Sequence, residues 1–346
     1  MFGLAVPILL AATSWFSKLG GNEDLARTCL RTLRYLVAAE LAIVVVAALI
    51  GLNYERHARA RESAQFQPPG RLVDIGGYRL HLYCTGSGGP AVILEHGHRA
   101  TYLDWFRVQP ELAKFTRVCS YDRAGYGWSD PSPKDRVPSV MAEELHALLR
   151  AAGEKPPYVL VAHSLGALNA IMFAHKFPHE VAGLVLVDGV RAESLRQLPW
   201  RGKLWFRVMQ VTMPFGIPRW RGWCGGGPAE TAREKVALTC RSEFLKTILR
   251  EDSAFPRVHS DMNVISSLAD MPLVVIARDP ALGKNAAAEA LNIRRQRENA
   301  ALSTNSGFIV AEGSAHDVPL ARPDVIVNAV KTLLTPPAPA GSRGTP

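Results

Sequence analysis

Two hydrophobic patterns divide the chain, unbroken apolar runs in the first sixty residues and short apolar cores alternating with amphipathic stretches after them. Residues 35–53 (YLVAAELAIVVVAALIGLN) carry one charge, Glu40. Eighteen helical residues rise roughly 27 Å, close to a bilayer's hydrocarbon thickness, so this run predicts a transmembrane helix. Glu40 lies little more than a turn inside it, near enough to reach the interface. Residues 1–16 form a shorter apolar run without the basic leader of a cleaved signal, which reads as either a short span or an interfacial segment. Residues 54–70, polar and closing on Pro68 and Pro69, read as a juxtamembrane linker.

From Arg71 the period changes. "RLVDIGG" and "YRLHLYCTG" predict a hairpin turning at Gly76 and Gly77. "AVILEHG", "TRVCSYDRAG", "YVLVAHS", "VAGLVLVDG", "PLVVIARD" and "SGFIVAEGS" are short apolar cores ending in polar or glycine residues, as buried parallel strands do. Between them, Tyr102–Phe115, Ser139–Gly153, Leu165–Phe177, Ala286–Ser303 and Pro323–Leu334 have helical period. The alternation predicts an α/β core over 71–188 and 272–335: a mostly parallel, eight-stranded sheet flanked by helices, with ligands at the strands' carboxyl ends. The interval 189–271 is too long for a plain connection and predicts a helical cap. Residues 336–346, rich in Pro and Gly, predict a disordered tail.

Charge sharpens this picture. The net +9 is concentrated between Val190 and Ser260, where thirteen Lys or Arg face six Asp or Glu. Trp200, Trp205, Trp220 and Trp223 lie in the same stretch, and Arg interleaved with Trp suits a lipid headgroup surface; no nucleic-acid motif accompanies it. Membrane lipids are the expected partner, with Arg219 and Arg221 the candidate contacts, and nucleic acid is not. Lys18, Arg27, Arg31 and Arg34 precede the main span and Arg56, Arg59 and Arg61 follow it, a small excess that favours the catalytic domain on the outer face. Of five cysteines, Cys84 and Cys119 flank neighbouring strands and Cys224 and Cys240 share the insertion, which leaves two bridges and five free thiols both open.

The chemistry centres on "YVLVAHSLGALNA", a strand running through Ala162-His163-Ser164-Leu165-Gly166 directly into a helix. Small residues flank the serine because the sharp turn brings backbones together, and the turn exposes the hydroxyl at a helix start. Ser164 is the expected nucleophile. His316 follows the last strand in "AEGSAHDVP" and is the expected base. Two strands end in aspartate, and either Asp188 or Asp279 could orient the imidazole; Asp188 is favoured because it closes its strand without a gap. The amide of Leu165, and that of His98 after the tight turn at His96 and Gly97, are the expected oxyanion donors. His96 and His98 lack a third ligand at zinc spacing, so no metal and no cofactor are expected. Asp122 and the glycines of "SYDRAGYGWSD" should shape a loop beside the site.

These segments, with "HLYCTGSGGPAVILEHG" and "IVAEGSAHDVPLARPDVI", resemble the α/β-hydrolase superfamily, in its membrane-anchored bacterial esterase- and lipase-like branch. The resemblance covers nearly everything from Arg71 to Leu334 except the cap, with Ala162 departing from the usual first glycine of the elbow. It implies a serine hydrolase acting through Ser164, His316 and one of the two aspartates; the tether and the basic aromatic cap, rather than the resemblance, point to a small lipid-like or other apolar ester. An apolar pocket under the cap, lined by some of Phe206, Met209, Met213, Phe215 and the tryptophans, would take the acyl chain. Amide hydrolysis and acyl transfer on the same triad, and a ligand-binding or sensory protein with little turnover, are the alternatives.

Overall fold

The computed structural model describes residues 23–335. The apolar run at 1–16 and the tail at 336–346 lie outside the described residues. Two compact units emerge, one of residues 1–58 with 214–216, the other of residues 59–213 with 217–346.

In the first unit the dominant element is α1, Glu23–Gln65, whose last turns belong to the second unit. It is the one helix among the described residues long and apolar enough to cross a membrane, and its apolar window is unburied. Pro214–Gly216 packs on it: a Cβ on Gly51 would meet the Phe215 carbonyl oxygen at 2.6 Å, and one on Gly216 would meet the Tyr54 ring at 2.6 Å. The helix continues well past 53, so the first twelve residues of the expected linker are helical. Their Ala, Arg and Glu content favours helix, and the paired prolines at 68 and 69 stop it.

The second unit is built on eight strands: β1 Arg71–Asp74, β2 Arg79–Thr85, β3 Ala91–Glu95, β4 Val118–Tyr121, β5 Tyr158–His163, β6 Val181–Val187, β7 Leu273–Arg278 and β8 Ser306–Ala311. Their order is β1-β2-β4-β3-β5-β6-β7-β8. β1 and β2 pair antiparallel, as does β2 with β4, and every later pair is parallel. The continuous apolar strands are explained by burial on both faces. Ile93, Leu160, Leu184 and Val275 enter a core shared with α2 (Pro138–Ala151) and α3 (Gly166–Lys176). Their neighbours Val92, Val159, Val185 and Val274 pack on the other face. The region expected as one helix at 102–115 is instead a 3-10 turn, Tyr102–Trp105, and a short helix, Gln109–Leu112, with Pro110 at the latter's start. β8 is a half-exposed edge rather than a buried strand.

The cap is helical: α4 Trp200–Thr212, a short helix Ile217–Trp220, α5 Ala232–Thr239 and α6 Ser242–Met262. Two disulfides, Cys84–Cys119 and Cys224–Cys240, resolve the cysteine alternatives, and Cys29 remains free. The first bond joins residues directly opposite each other on β2 and β4. After the cap, α7 (Ala286–Ala300) and α8 (Pro323–Leu334) complete the core.

Candidate active site

The carboxyl ends of β3, β5, β6 and β8 converge on one constellation. β5 runs into Ser164, which adopts φ 55°, a left-handed conformation unusual for a residue with a side chain. The turn is held by main-chain bonds from the Ser164 amide to Val187 (3.0 Å) and from the Ala167 and Val190 amides to the Ser164 carbonyl (3.2 and 3.1 Å). Gly166 opens α3 against β3, where a Cβ would stand 2.7 Å from Glu95 Cγ and 2.8 Å from the His96 carbonyl oxygen. Only glycine fits there. Ala162, by contrast, sits between Glu95 and Leu186 with its methyl fully buried in the core, so the departure at the elbow is absorbed by packing.

His316 lies in the loop between β8 and the short helix Val318–Ala321. Its Nε2 is 3.0 Å from Ser164 Oγ, and its Nδ1 is 2.6 Å from Asp188 Oδ2. Asp188 also accepts from Asn292 Nδ2 (3.0 Å) and Arg278 Nη1 (3.1 Å). Burial opposes ionisation of Asp188, but the hydrogen bonds from His316 and Asn292 and the neighbouring positive charge prevail and hold it at about 2. An ionised Asp188 can only accept, so Nδ1 carries the imidazole proton and Nε2 is left to accept from the Ser164 hydroxyl.

Asp279 takes no part in this relay. It is partly exposed, its Oδ1 accepting from the Ala281 amide (2.8 Å) as a turn cap and its Oδ2 from the Gly313 amide (2.8 Å). Of the two candidate acids, the structure therefore brings Asp188 to the imidazole and sets Asp279 to brace the loop that carries His316.

Facing Ser164 is the turn after β3. A Cβ on Gly97 would lie 3.1 Å from Ser164 Cβ, so this backbone passes directly over the Ser164 side chain. Neither the His98 nor the Leu165 amide donates to a protein acceptor among the described residues, which leaves both for a ligand oxygen. The turn is held from behind. Arg123, almost fully buried, donates to the carbonyls of His96 (2.5 Å) and Gly97 (2.9 Å) and to Glu95 Oε1 (2.7 Å). With both carbonyls drawn to the guanidinium, the neighbouring amides face away from it. His96 Nδ1 meets the Gly97 carbonyl (2.9 Å) and its Nε2 accepts from the Arg123 amide (3.2 Å). Burial and the Arg123 charge lower its pKa to about 3, and the neutral ring suits that pair of roles. Asp122, as expected, shapes the adjoining loop, accepting from the amides of Tyr102 (2.8 Å) and Trp128 (3.1 Å) and from His81 (2.8 Å).

Sequence reasoning missed three residues here. Glu251 of cap helix α6 is buried and accepts from His98 Nδ1 (2.8 Å), the Tyr126 hydroxyl (2.8 Å) and Arg123 Nε (3.2 Å), joining the cap to the turn after β3. Arg123 itself was hidden in a loop motif. His163, buried beside the nucleophile, lies with Nε2 2.9 Å from the His316 carbonyl oxygen. Burial, then the charge of His316, lowers its pKa to about 4, so the neutral ring donates through Nε2 and pins the His316 backbone.

Two cavities lie near the site. One of about 290 Å³ is lined by Asp188, His316, Arg191, Arg278, Asn292 and Arg295, among others. The other, about 310 Å³, lies in the cap against Arg99, with Trp205, Phe206, Met209, Trp223 and Phe244 in its wall. Met213 is buried in the cap core instead, and Phe215 belongs to the first unit.

The family model for the alpha/beta hydrolase fold matches residues 90–238. Uncharacterized protein YbdG of Bacillus subtilis is 27% identical over 164 residues, covering 47% of this chain and 50% of that protein. Uncharacterized protein YqjL of the same organism is 26% identical over 261 residues, covering 75% and 90%. The match thus spans half the length of the first relative and most of the second. Among solved structures, a thermophilic esterase from Thermogutta terrifontis has the same fold, with a TM-score of 0.54 at 21% identity, covering 76% of this chain and 96% of its own. Strand order, elbow and family match agree on the alpha/beta hydrolase fold, which residues 90–238 also match in sequence.

Proposed function

We propose that this protein is a membrane-anchored serine hydrolase that cleaves carboxylic esters with an apolar acyl group. The observation that carries the reading is the unbroken relay from Ser164 Oγ through His316 to a buried, ionised Asp188, facing two uncommitted amides. His316 Nε2 takes the proton as Ser164 Oγ attacks the ester carbonyl. The amides of His98 and Leu165 stabilise the oxyanion, and Asp188 the imidazolium. His316 returns the proton to the departing alcohol, leaving an acyl-enzyme. It then activates water to release the acid and restore Ser164. The aromatic cap cavity beside Arg99 suits the acyl chain.

Anchoring is supported by the unburied apolar face of α1, and a site outside the cytosol by the two disulfides. A fluorophosphonate probe with a panel of esters, amides and acceptor alcohols tests the chemistry. Labelling and ester turnover that vanish in Ser164→Ala are expected. Folded protein that never labels, while a ligand raises its melting temperature, would instead make it a binding protein.

A further inference from the structure

We propose that the outer face of α4, together with the short helix Ile217–Trp220, is a lipid-docking surface that seats the cap in the headgroup region of an anionic bilayer. Its activity test rests on the hydrolase reading above; its spectroscopic test does not.

A cap helix needs one apolar stripe, and α4 has two. Phe206, Met209 and Met213, spaced three and four apart, pack into the cap core with Tyr126, Phe244 and Ile248. On the other side Trp200, Leu204, Val208 and Val211, again at helical spacing, face solvent, with Trp200 68% and Val211 69% exposed. On the short helix that follows, Trp220 is also exposed, at 73%. An exposed apolar stripe of this kind calls for a cover.

The rim identifies the cover. Arg201 lies over the Trp200 ring at 5.4 Å and Arg221 over Trp220 at 5.8 Å. Among the described residues Arg201, Arg207 and Arg221 form no ion pair, whereas Arg219, one of the two cations expected to meet lipid, is largely buried and paired with Glu62. That pairing corrects the expectation for Arg219: it ties the cap to the end of α1, and the lipid-facing charge falls to Arg201, Arg207 and Arg221. Tryptophans flanked by arginines match the interfacial belt of a bilayer and its anionic headgroups. A second copy fits less well, because a two-fold contact would set the same three cations against one another. Within the first unit, Pro214–Gly216, which joins α4 to the short helix, packs on α1 at Gly51 and Tyr54, where the apolar run ends. The chain on either side of that joint carries the exposed stripe.

The test uses the full chain reconstituted in vesicles of phosphatidylcholine and phosphatidylglycerol. With acyl-brominated lipids, tryptophan emission should be quenched, and Trp200→Phe/Trp220→Phe should lose at least half of the quenchable emission relative to wild type. Equal quenching in the two proteins would overturn the proposal. So would efficient cross-linking of Val211→Cys between copies, which would make the face a protein interface. In the activity arm, Leu204→Asp/Val211→Asp should hydrolyse a soluble short-chain ester within two-fold of wild type and a vesicle-embedded long-chain ester at least five-fold more slowly. Equal loss on both esters would overturn docking. Absence of ester turnover in wild type would overturn the hydrolase reading and leave the quenching result to decide docking.

Discussion

Asp188→Asn removes one charge while keeping the shape of the acid, and the surroundings determine what the amide does next. Oδ2 of Asp188 accepts from both His316 Nδ1 and Arg278 Nη1, while Oδ1 accepts from Asn292, which can rotate its own amide, and only at 3.5 Å from the Arg278 main-chain amide. The substituted side chain will therefore place its carbonyl toward Arg278 and His316. The imidazole keeps its proton on Nδ1 and loses chiefly the partner for its positive charge. A carboxylate and an imidazolium about 4 Å apart attract by ~4 kcal/mol at an effective dielectric constant of about 20. That corresponds to roughly a thousand-fold in kcat. The assay is turnover of a chromogenic ester at pH 8, normalised to active sites titrated with fluorophosphonate, with Asp279→Asn alongside. Asp279, partly exposed and committed to two main-chain amides, should cost less than about three-fold. Retention of a tenth of the activity by Asp188→Asn, or a larger loss in Asp279→Asn, would refute the assignment of the acid.

Three further outcomes follow from the geometry. Glu251→Gln deprives buried Arg123 and His98 of a shared counter-charge and should lower the melting temperature by roughly 5–10 °C, with a fall in kcat; a change under about 1 °C would contradict the cap-to-turn coupling. Gly166→Ala forces a methyl toward the His96 carbonyl and should cost about 1–3 kcal/mol and slow fluorophosphonate labelling, so unchanged melting and labelling would count against the close approach. Because folding depresses the Asp188 carboxyl from 3.8 to about 2, its contribution is complete above pH ~4 and lost as pH falls through about 2; the difference is worth about 2 kcal/mol. Chemical denaturation at pH 5, 3.5 and 2 should show wild type losing that much more than Asp188→Asn, and parallel losses would remove the linkage.

Much of this site could be read from local pattern. A strand ending in a small-x-Ser-x-Gly turn, an aspartate closing the next strand and a histidine after the last one each report their position through neighbours in sequence. What stayed hidden depends on long-range packing. Glu251 meets His98 across 153 residues and Arg123 across 128, and no periodicity in α6 distinguishes that glutamate from a solvated one. His163 carries no local signal of its own, because its contact is the His316 carbonyl, again 153 residues away. The linker at 54–70 was misjudged for a different reason: its polarity signals exposure, while its Ala, Arg and Glu content keeps an exposed chain helical. At 102–115 the apolar spacing suited a helix, but the run is divided into two short pieces, the second starting with Pro110.

Ser164 and Asp188 both hold left-handed backbone conformations, at φ 55° and 41°. Such conformations cost on the order of 1–3 kcal/mol each for residues with a Cβ. In the hydrolase proposed above, Ser164 and Asp188 are then the residues least suited to their own backbone, and glycine is what those positions would take on conformational grounds. A substitution that abolished the proposed chemistry there would relieve strain, so stability and function pull these two positions in opposite directions.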